Sequence, residues 1–304
     1  MPDLHDFSSI IAKARSIEKP LRVALAAADC ENILKGLFDA QKDGFVEPIL
    51  IGNEKKVLET LDRIGMRDRN FEFHPMPHET GPVQYAIEMV AAGHADALMR
   101  GNTQTRDFLM PILNKGNHLI KPGKRLSHVT VLQVPGLDKL LAISDVTIAV
   151  EPSIENRKEI TKNLVEVLNS LGIEKPNIAL LSLVETPSFR MGDTIEAQTI
   201  VREHRRDPIA DCNLVGPISY DLIMSKEAAR LKNYDCEYCG EFDGIVVPNL
   251  ISGNLMVKIL EHNAGAKGAG IIAGATVPIA ITSRSDSEEH AYLSLAAITA
   301  ASMK

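Results

Sequence analysis

Three short stretches combine hydroxyl, amide and guanidinium groups at places where a strand should give way to a helix. The first, Met99-Arg100-Gly101-Asn102-Thr103-Gln104-Thr105-Arg106-Asp107, follows an apolar strand candidate and precedes the helical run 108–113. Ligands of α/β folds bind at loops leaving the carboxyl ends of parallel strands, and a helix amino terminus offers free N–H groups to an anion. Arg100, Thr103, Thr105 and Arg106, with Asn102 among them, supply donors suited to phosphate oxygens. The same residues also fit a capped surface helix with two solvated arginines.

The second stretch runs Thr282-Ser283-Arg284-Ser285-Asp286-Ser287-Glu288-Glu289, ahead of an amphipathic helix containing Ala291, Leu295 and Ile298. Asp286 or Ser287 is placed to cap that helix, and the glutamates suit its positive end. A cap leaves Ser283 and Arg284 unexplained; at a strand exit, a hydroxyl and a guanidinium could face a reacting carbonyl and a phosphate. In the third stretch a strand feeds Pro248 and Asn249, and Ser252-Gly253-Asn254 opens a helix. Glycine admits close approach of a ligand and asparagine both donates and accepts, although tight-turn geometry accounts for much of this pattern.

Other chemistries are absent or weak. The run 116–125 ends in Gly-Lys-Arg without a following Ser or Thr, so it is not a nucleotide P-loop, and there is no His-Glu-x-x-His or Gly-x-Ser-x-Gly string. Cys236-Glu237-Tyr238-Cys239 lacks a second pair to complete four zinc ligands, so no metal site is expected.

The elements that must position these stretches alternate along the chain. Strand candidates at 21–26, 48–51, 70–74, 97–99, 128–133, 145–150, 177–183, 244–247 and 278–282 are separated by helix-period segments. That order predicts an α/β fold with mainly parallel pairing. The clearest helix covers 155–171, with Ser153 as its cap and Gly172 as its end. Phe7, Ile10, Ile11, Ala14 and Ile17 mark the buried face of a shorter one. No linker divides the 304 residues, and Pro and Gly near 118–136 place a domain change close to Leu140.

A net charge of −7, with 4% aromatic residues and no Trp, argues against nucleic-acid and anionic-membrane partners. The charged first 20 residues leave no room for a signal-peptide core, and the apolar stretch 269–281 is broken by Gly270, Gly274 and Pro278. With only four cysteines, a cytoplasmic protein in a reducing compartment is expected.

Together the three stretches resemble the phosphate acetyl/butyryltransferase family, and its butyryl branch more than its acetyl branch. The resemblance rests on 95–103, on 126–141, on Gly216-Pro217, on Phe242-Asp243-Gly244 through Gly253-Asn254, and on 281–287. It implies a fold like that of isocitrate and isopropylmalate dehydrogenases. There, residues 1–139 with 278–304 form one α/β domain and 140–277 a second, around an interdomain cleft. It implies transfer of a short acyl group, butyryl or acetyl, between CoA and inorganic phosphate, giving acyl phosphate plus CoA. Neither metal nor cofactor is implied, the partners are small-molecule substrates, and the assembly is a homodimer or larger homo-oligomer.

Ser283 matches the family's serine and is expected to donate to the carbonyl oxygen while Arg284 holds phosphate. Arg100 and Arg106 are further anion candidates, and Asn249, Gly253 and Asn254 candidates for CoA or phosphate. Two positions depart from the family pattern. His290 stands where acetyl-branch members place a catalytic aspartate, with Asp286 nearer in sequence, and Met110 stands where the family has an arginine before the helix proline. Arg106, one helical turn earlier, is placed to compensate. These departures keep a non-catalytic CoA or acyl-phosphate binder in view. An NAD-dependent decarboxylating dehydrogenase of similar fold is the other alternative, although the chain offers no clear aspartate cluster for its metal.

Overall fold

The strand–helix alternation read from the sequence is realised as two units in the computed structural model, which describes residues 5–76 and 81–303. Among the described residues, one unit comprises those from Phe7 to Leu126 and from Lys267 onward; the other comprises Ser127–Ala266 with His5 and Asp6.

The first unit begins with α1 (Phe7–Arg15), β1 (Leu21–Ala26), α2 (Glu31–Lys42), β2 (Val46–Gly52), α3 (Glu54–Arg63), β3 (Glu72–Pro75), α4 (Gly81–Ala91), β4 (Ala97–Arg100) and α5 (Thr105–Leu113). The second contains β5 (Ser127–Gln133), β6 (Leu141–Ser144), α6 (Ile154–Leu171), β7 (Asn177–Leu181), α7 (Gly192–Arg206), β8 (Asn213–Ile218), α8 (Tyr220–Met224), α9 (Lys226–Lys232), β9 (Gly244–Val246) and α10 (Leu250–Ala264). The chain then returns to the first unit as β10 (Lys267–Ala273), β11 (Ile279–Ala280) and α11 (Glu288–Ser302).

In the first unit the strand order is β3-β2-β1-β4-β11-β10. All neighbours there are parallel except the β10–β11 pair. In the second it is β5-β6-β9-β7-β8, with only β5–β6 antiparallel. Strands covered on both faces are continuously apolar, as in β1, whose Val23, Ala24, Leu25 and Ala26 are fully buried. α1 buries Phe7, Ile10 and Ala14, the face its periodicity marks. α6 is capped by Ser153, which accepts from Asn156, and ends at Gly172 in the left-handed region.

Four details differ from the sequence reading. The second unit starts at Ser127 rather than 140 because β5 pairs with β6, Thr130 opposite Ile143 and Leu132 opposite Leu141. Residues 267–277 lie in the first unit because β10 pairs with β11 through Ile271 and Ala280. The α11 helix is buried almost all round, with every residue from 293 to 300 inside, so it is a core helix and not an amphipathic one. The segment 145–150 is a loop, not a strand; the strand is β6, four residues earlier.

What holds that loop is the buried carboxylate of Asp145. Its Oδ1 accepts the amides of His128 at 3.2 Å, Thr147 at 2.9 Å and Ile148 at 3.1 Å, and its Oδ2 accepts that of Ala149 at 3.0 Å. Burial pushes its pKa up, while these four amides pull it back toward the ionised form. Asp145→Ala would leave several buried donors without an acceptor and is expected to cost about 3 kcal/mol or more. Asp145→Asn should fall between the two; urea unfolding of the three proteins checks the order.

Candidate functional site

In the first unit β4 and β11 run side by side and parallel, Leu98 opposite Ile279 and Met99 opposite Ala280. Their exits therefore bring the stretch after Met99 and the stretch after Ile281 together, 182 residues apart in sequence. Arg100 joins them. Its Nε and Nη2 donate to the carbonyl of Thr103 at 3.0 and 2.6 Å, and its Nη1 donates to the carbonyl of Thr282 at 2.9 Å. The side chain is buried, and no carboxylate forms a salt bridge with it among the described residues. Burial first, and then the neighbouring Arg284, lower its pKa; Asp286 acts in the opposite sense. A guanidinium keeps its proton regardless, so the junction of the two loops carries a fixed and incompletely compensated positive charge.

Gly101 makes this approach possible. A Cβ there would stand 2.2 Å from the carbonyl oxygen of Ala27 and 2.5 Å from that of Ala26, at the exit of β1. Instead the amides of Gly101 and Asn102 donate to those carbonyls at 2.8 and 2.7 Å. Three strand exits are thereby stitched to one another.

Past Gly101, the exposed side chain of Asn102 and those of Thr103 and Thr105 lead into α5, whose cap position, Gln104, makes no side-chain hydrogen bond to the helix. Arg106 is exposed on the first turn and makes no hydrogen bond or ion pair among the described residues. Met110, 55% exposed, lies one turn further along the same face.

The loop after β11 is organised by Asp286. Its Oδ2 accepts the amide of Ser283 at 2.6 Å, and its own amide donates to the Ser283 carbonyl at 3.1 Å. The hydroxyls of Ser283 and Ser285 are 3.0 Å apart. The buried imidazole of His290 lies with Nε2 3.4 Å from Asp286 Oδ2, one helical turn on. The helix cap is Ser287, which accepts from the amide of His290 at 3.1 Å, so Asp286 holds the serine loop instead. Arg284 is exposed and makes no hydrogen bond or ion pair among the described residues. Nine of the expected residues thus gather at neighbouring strand exits of one unit: Arg100, Asn102, Thr103, Thr105, Arg106, Ser283, Arg284, Asp286 and His290.

Asn249, Gly253 and Asn254 belong to the other unit, at the exit of β9. Asn249 caps α10, accepting from the amide of Ser252 at 3.0 Å. Gly253 lets the helix sit on the β6 exit: a Cβ would be 2.7 Å from the carbonyl oxygen of Asp145. Asn254 is exposed, and its Nδ2 donates to the Val146 carbonyl at 3.2 Å. The structure accounts for the first two by local packing and capping alone.

Sequence reasoning missed Asn32, on the first turn of α2, whose Nδ2 donates to the Asp286 carbonyl at 3.0 Å. Only the position of Asn32 just past a strand candidate could have marked it. Also missed was the buried hydroxyl of Thr282, which has no hydrogen-bond partner among the described residues.

Residues 74–300 match the model of the family described as phosphate acetyl/butaryl transferase. The phosphate butyryltransferase of Clostridium acetobutylicum is 34% identical over 96% of this chain and 97% of that protein. The chain belongs to this family. As the sequence implies, it is an acyltransferase, catalysing reversible transfer of an acyl group between CoA and phosphate. A branched-chain phosphotransacylase from Enterococcus faecalis V583 superposes with a TM-score of 0.80 at 28% identity, covering 93% of this chain and all of that one. A 4-hydroxythreonine-4-phosphate dehydrogenase from Klebsiella pneumoniae shares the fold with a TM-score of 0.59 at 12% identity, covering 94% and 98%.

The Arg100 bracket depends on a planar fork reaching two carbonyls, which an ammonium group cannot reproduce. Arg100→Lys should lower unfolding stability by about 1–3 kcal/mol, whereas Arg106→Lys, exposed and unpaired, should stay within about 0.5 kcal/mol of the parent in the same urea titration.

Proposed function

We propose that the acyl transfer is carried out by the loop Ser283–Asp286, His290 and the guanidinium groups around them. Supporting this reading above all is the fixed positive charge of Arg100, with the exposed and unpaired Arg284 near it and the equally unpaired Arg106 on the first turn of α5. Phosphate and the phosphates of CoA are anions, and an acidic chain must gather cations locally to hold them.

In the direction of acyl-CoA formation, the CoA thiol must lose its proton before its sulfur attacks the carbonyl of the acyl phosphate. The Asp286–His290 pair takes that proton, with the carboxylate orienting the imidazole. As the carbonyl oxygen becomes negative, the Ser283 hydroxyl donates to it. The carbon–oxygen bond to phosphate then breaks, and Arg284 and Arg106 take up the departing charge. Arg106 fills the role of the arginine that Met110 replaces. Oxidation states do not change, so the step needs no electron carrier, and the side chains named here and the two substrates are the groups it uses.

A butyryl-sized acyl group is the preferred substrate, in keeping with the relatives named above, and the compartment is the cytoplasm. Kinship with isocitrate and isopropylmalate dehydrogenases is proposed at the level of fold alone, supported by the likeness to another dehydrogenase. A second copy of the chain covers α10, where Ile251, Leu255 and Ile259 are 65%, 55% and 56% exposed at one-turn spacing.

Purified protein should release CoA from C2 to C6 acyl-CoAs only when phosphate is present, fastest near C4. No phosphate-dependent turnover at any length would overturn the reading. Ser283→Ala should lower kcat by about 10²–10³ with CoA binding retained. Asp286→Asn and His290→Gln should each lose activity, and the double variant little more than either, because a pair acting as a unit is lost once.

A further inference from the structure

Cys236 and Cys239 take no part in the acyl transfer, yet their arrangement has a chemistry of its own. They lie between α9 and β9, and the amide of Cys239 donates to the carbonyl of Cys236 at 3.3 Å. That closure defines a β-turn, which keeps the two Cα atoms within about 7 Å. A disulfide spans Cα separations of about 4.4–6.8 Å, so little or no backbone movement stands between the thiols and a bond.

The pair is asymmetric. Cys236 is partly exposed, while Cys239 is buried with Leu222, Ile223, Phe242 and Ile245 in the core of the second unit. The turn is anchored on both sides, since the amide of Gly240 donates to the Ile223 carbonyl at 3.1 Å and that of Tyr234 to the Ala229 carbonyl at 2.9 Å. Burial, then the adjacent Cys236, then the charges of Asp221 and Glu185 push the Cys239 thiol up to about 12. A metal would need more donors, and no group of three or more His, Cys, Asp and Glu side chains is disposed to hold one among the described residues.

We propose that Cys236 and Cys239 are a dithiol that closes reversibly to an intramolecular disulfide by exchange with a low-molecular-weight disulfide. The exposed Cys236, as its thiolate, attacks one sulfur of the incoming disulfide; that S–S bond breaks and one small thiolate leaves. Cys239 then loses its proton to solvent and attacks Cys236 Sγ, forming the Sγ–Sγ bond and releasing the second small thiolate. Two protein thiols are oxidised and the small disulfide is reduced to two thiols. The second step is the slower, because Cys239 is rarely ionised. A ring this short restrains the unfolded chain little, so the bond is a reactive site and not a structural staple.

The test equilibrates the full-length protein with glutathione disulfide, quenches with acid, alkylates and maps the peptides. The peptide holding both residues should lose two hydrogen atoms in mass and regain them with dithiothreitol, while Cys30 and Cys212 remain alkylated. Cys239→Ala should instead trap glutathione on Cys236. Full alkylation of Cys236 and Cys239 after oxidation, a bond from either to Cys30 or Cys212, or a glutathione adduct that never closes in the parent protein would each overturn the proposal. Should the variant fail to fold, the map of the parent decides alone.

Discussion

One buried guanidinium organises the unit that carries the Ser283 loop. Arg100 donates three hydrogen bonds to two backbone carbonyls, at Thr103 and Thr282, that belong to loops far apart in the chain. The bonds fix where both loops leave the sheet, while the charge they fail to neutralise prepares the same place for an anion. Structure and electrostatics are therefore not separate contributions of this residue. The close approach at Gly101 and the hold of Asp286 on the Ser283 amide extend the same arrangement outward to the exposed groups.

Much of this was visible in the sequence because strand exits have a recognisable form. Apolar runs ending in polar residues ahead of a helix marked both loops, and Ser153 and Gly172 bounded α6 to within a residue. Three strands escaped notice for physical reasons. β10 is rich in glycine and alanine and reads as a loop; β8 contains Gly216 and Pro217, which interrupt any periodicity; β6 is only four residues long. The neighbouring error at 145–150 has the same origin: β-branched residues there suit a strand, but a single carboxylate gathers their amides into a loop.

The site was less legible than the fold. Residue type identifies Arg100 and Asn249 as polar groups at strand exits, but only the folded chain reveals that backbone groups engage their side chains. Conversely, the link from Asn32 to Asp286 spans 254 residues and has no local signature. The assignment of helix capping to Ser287 rather than Asp286 is similarly a matter of one residue of register, which sequence rules leave open.

The return of the chain from Lys267 onward has a consequence for how the molecule comes into being. Everything through Arg100 and α5 is synthesised long before the loop that carries Ser283, and a whole second unit is made in between. While the ribosome is still working, β4 lacks its neighbour β11, α2 lacks the core helix that covers it, and Arg100 lacks one of its two carbonyl partners. The second unit is nearly continuous and can complete itself during elongation. The pair of loops bracketed by Arg100 cannot: it is completed only when β11, its loop and α11 arrive.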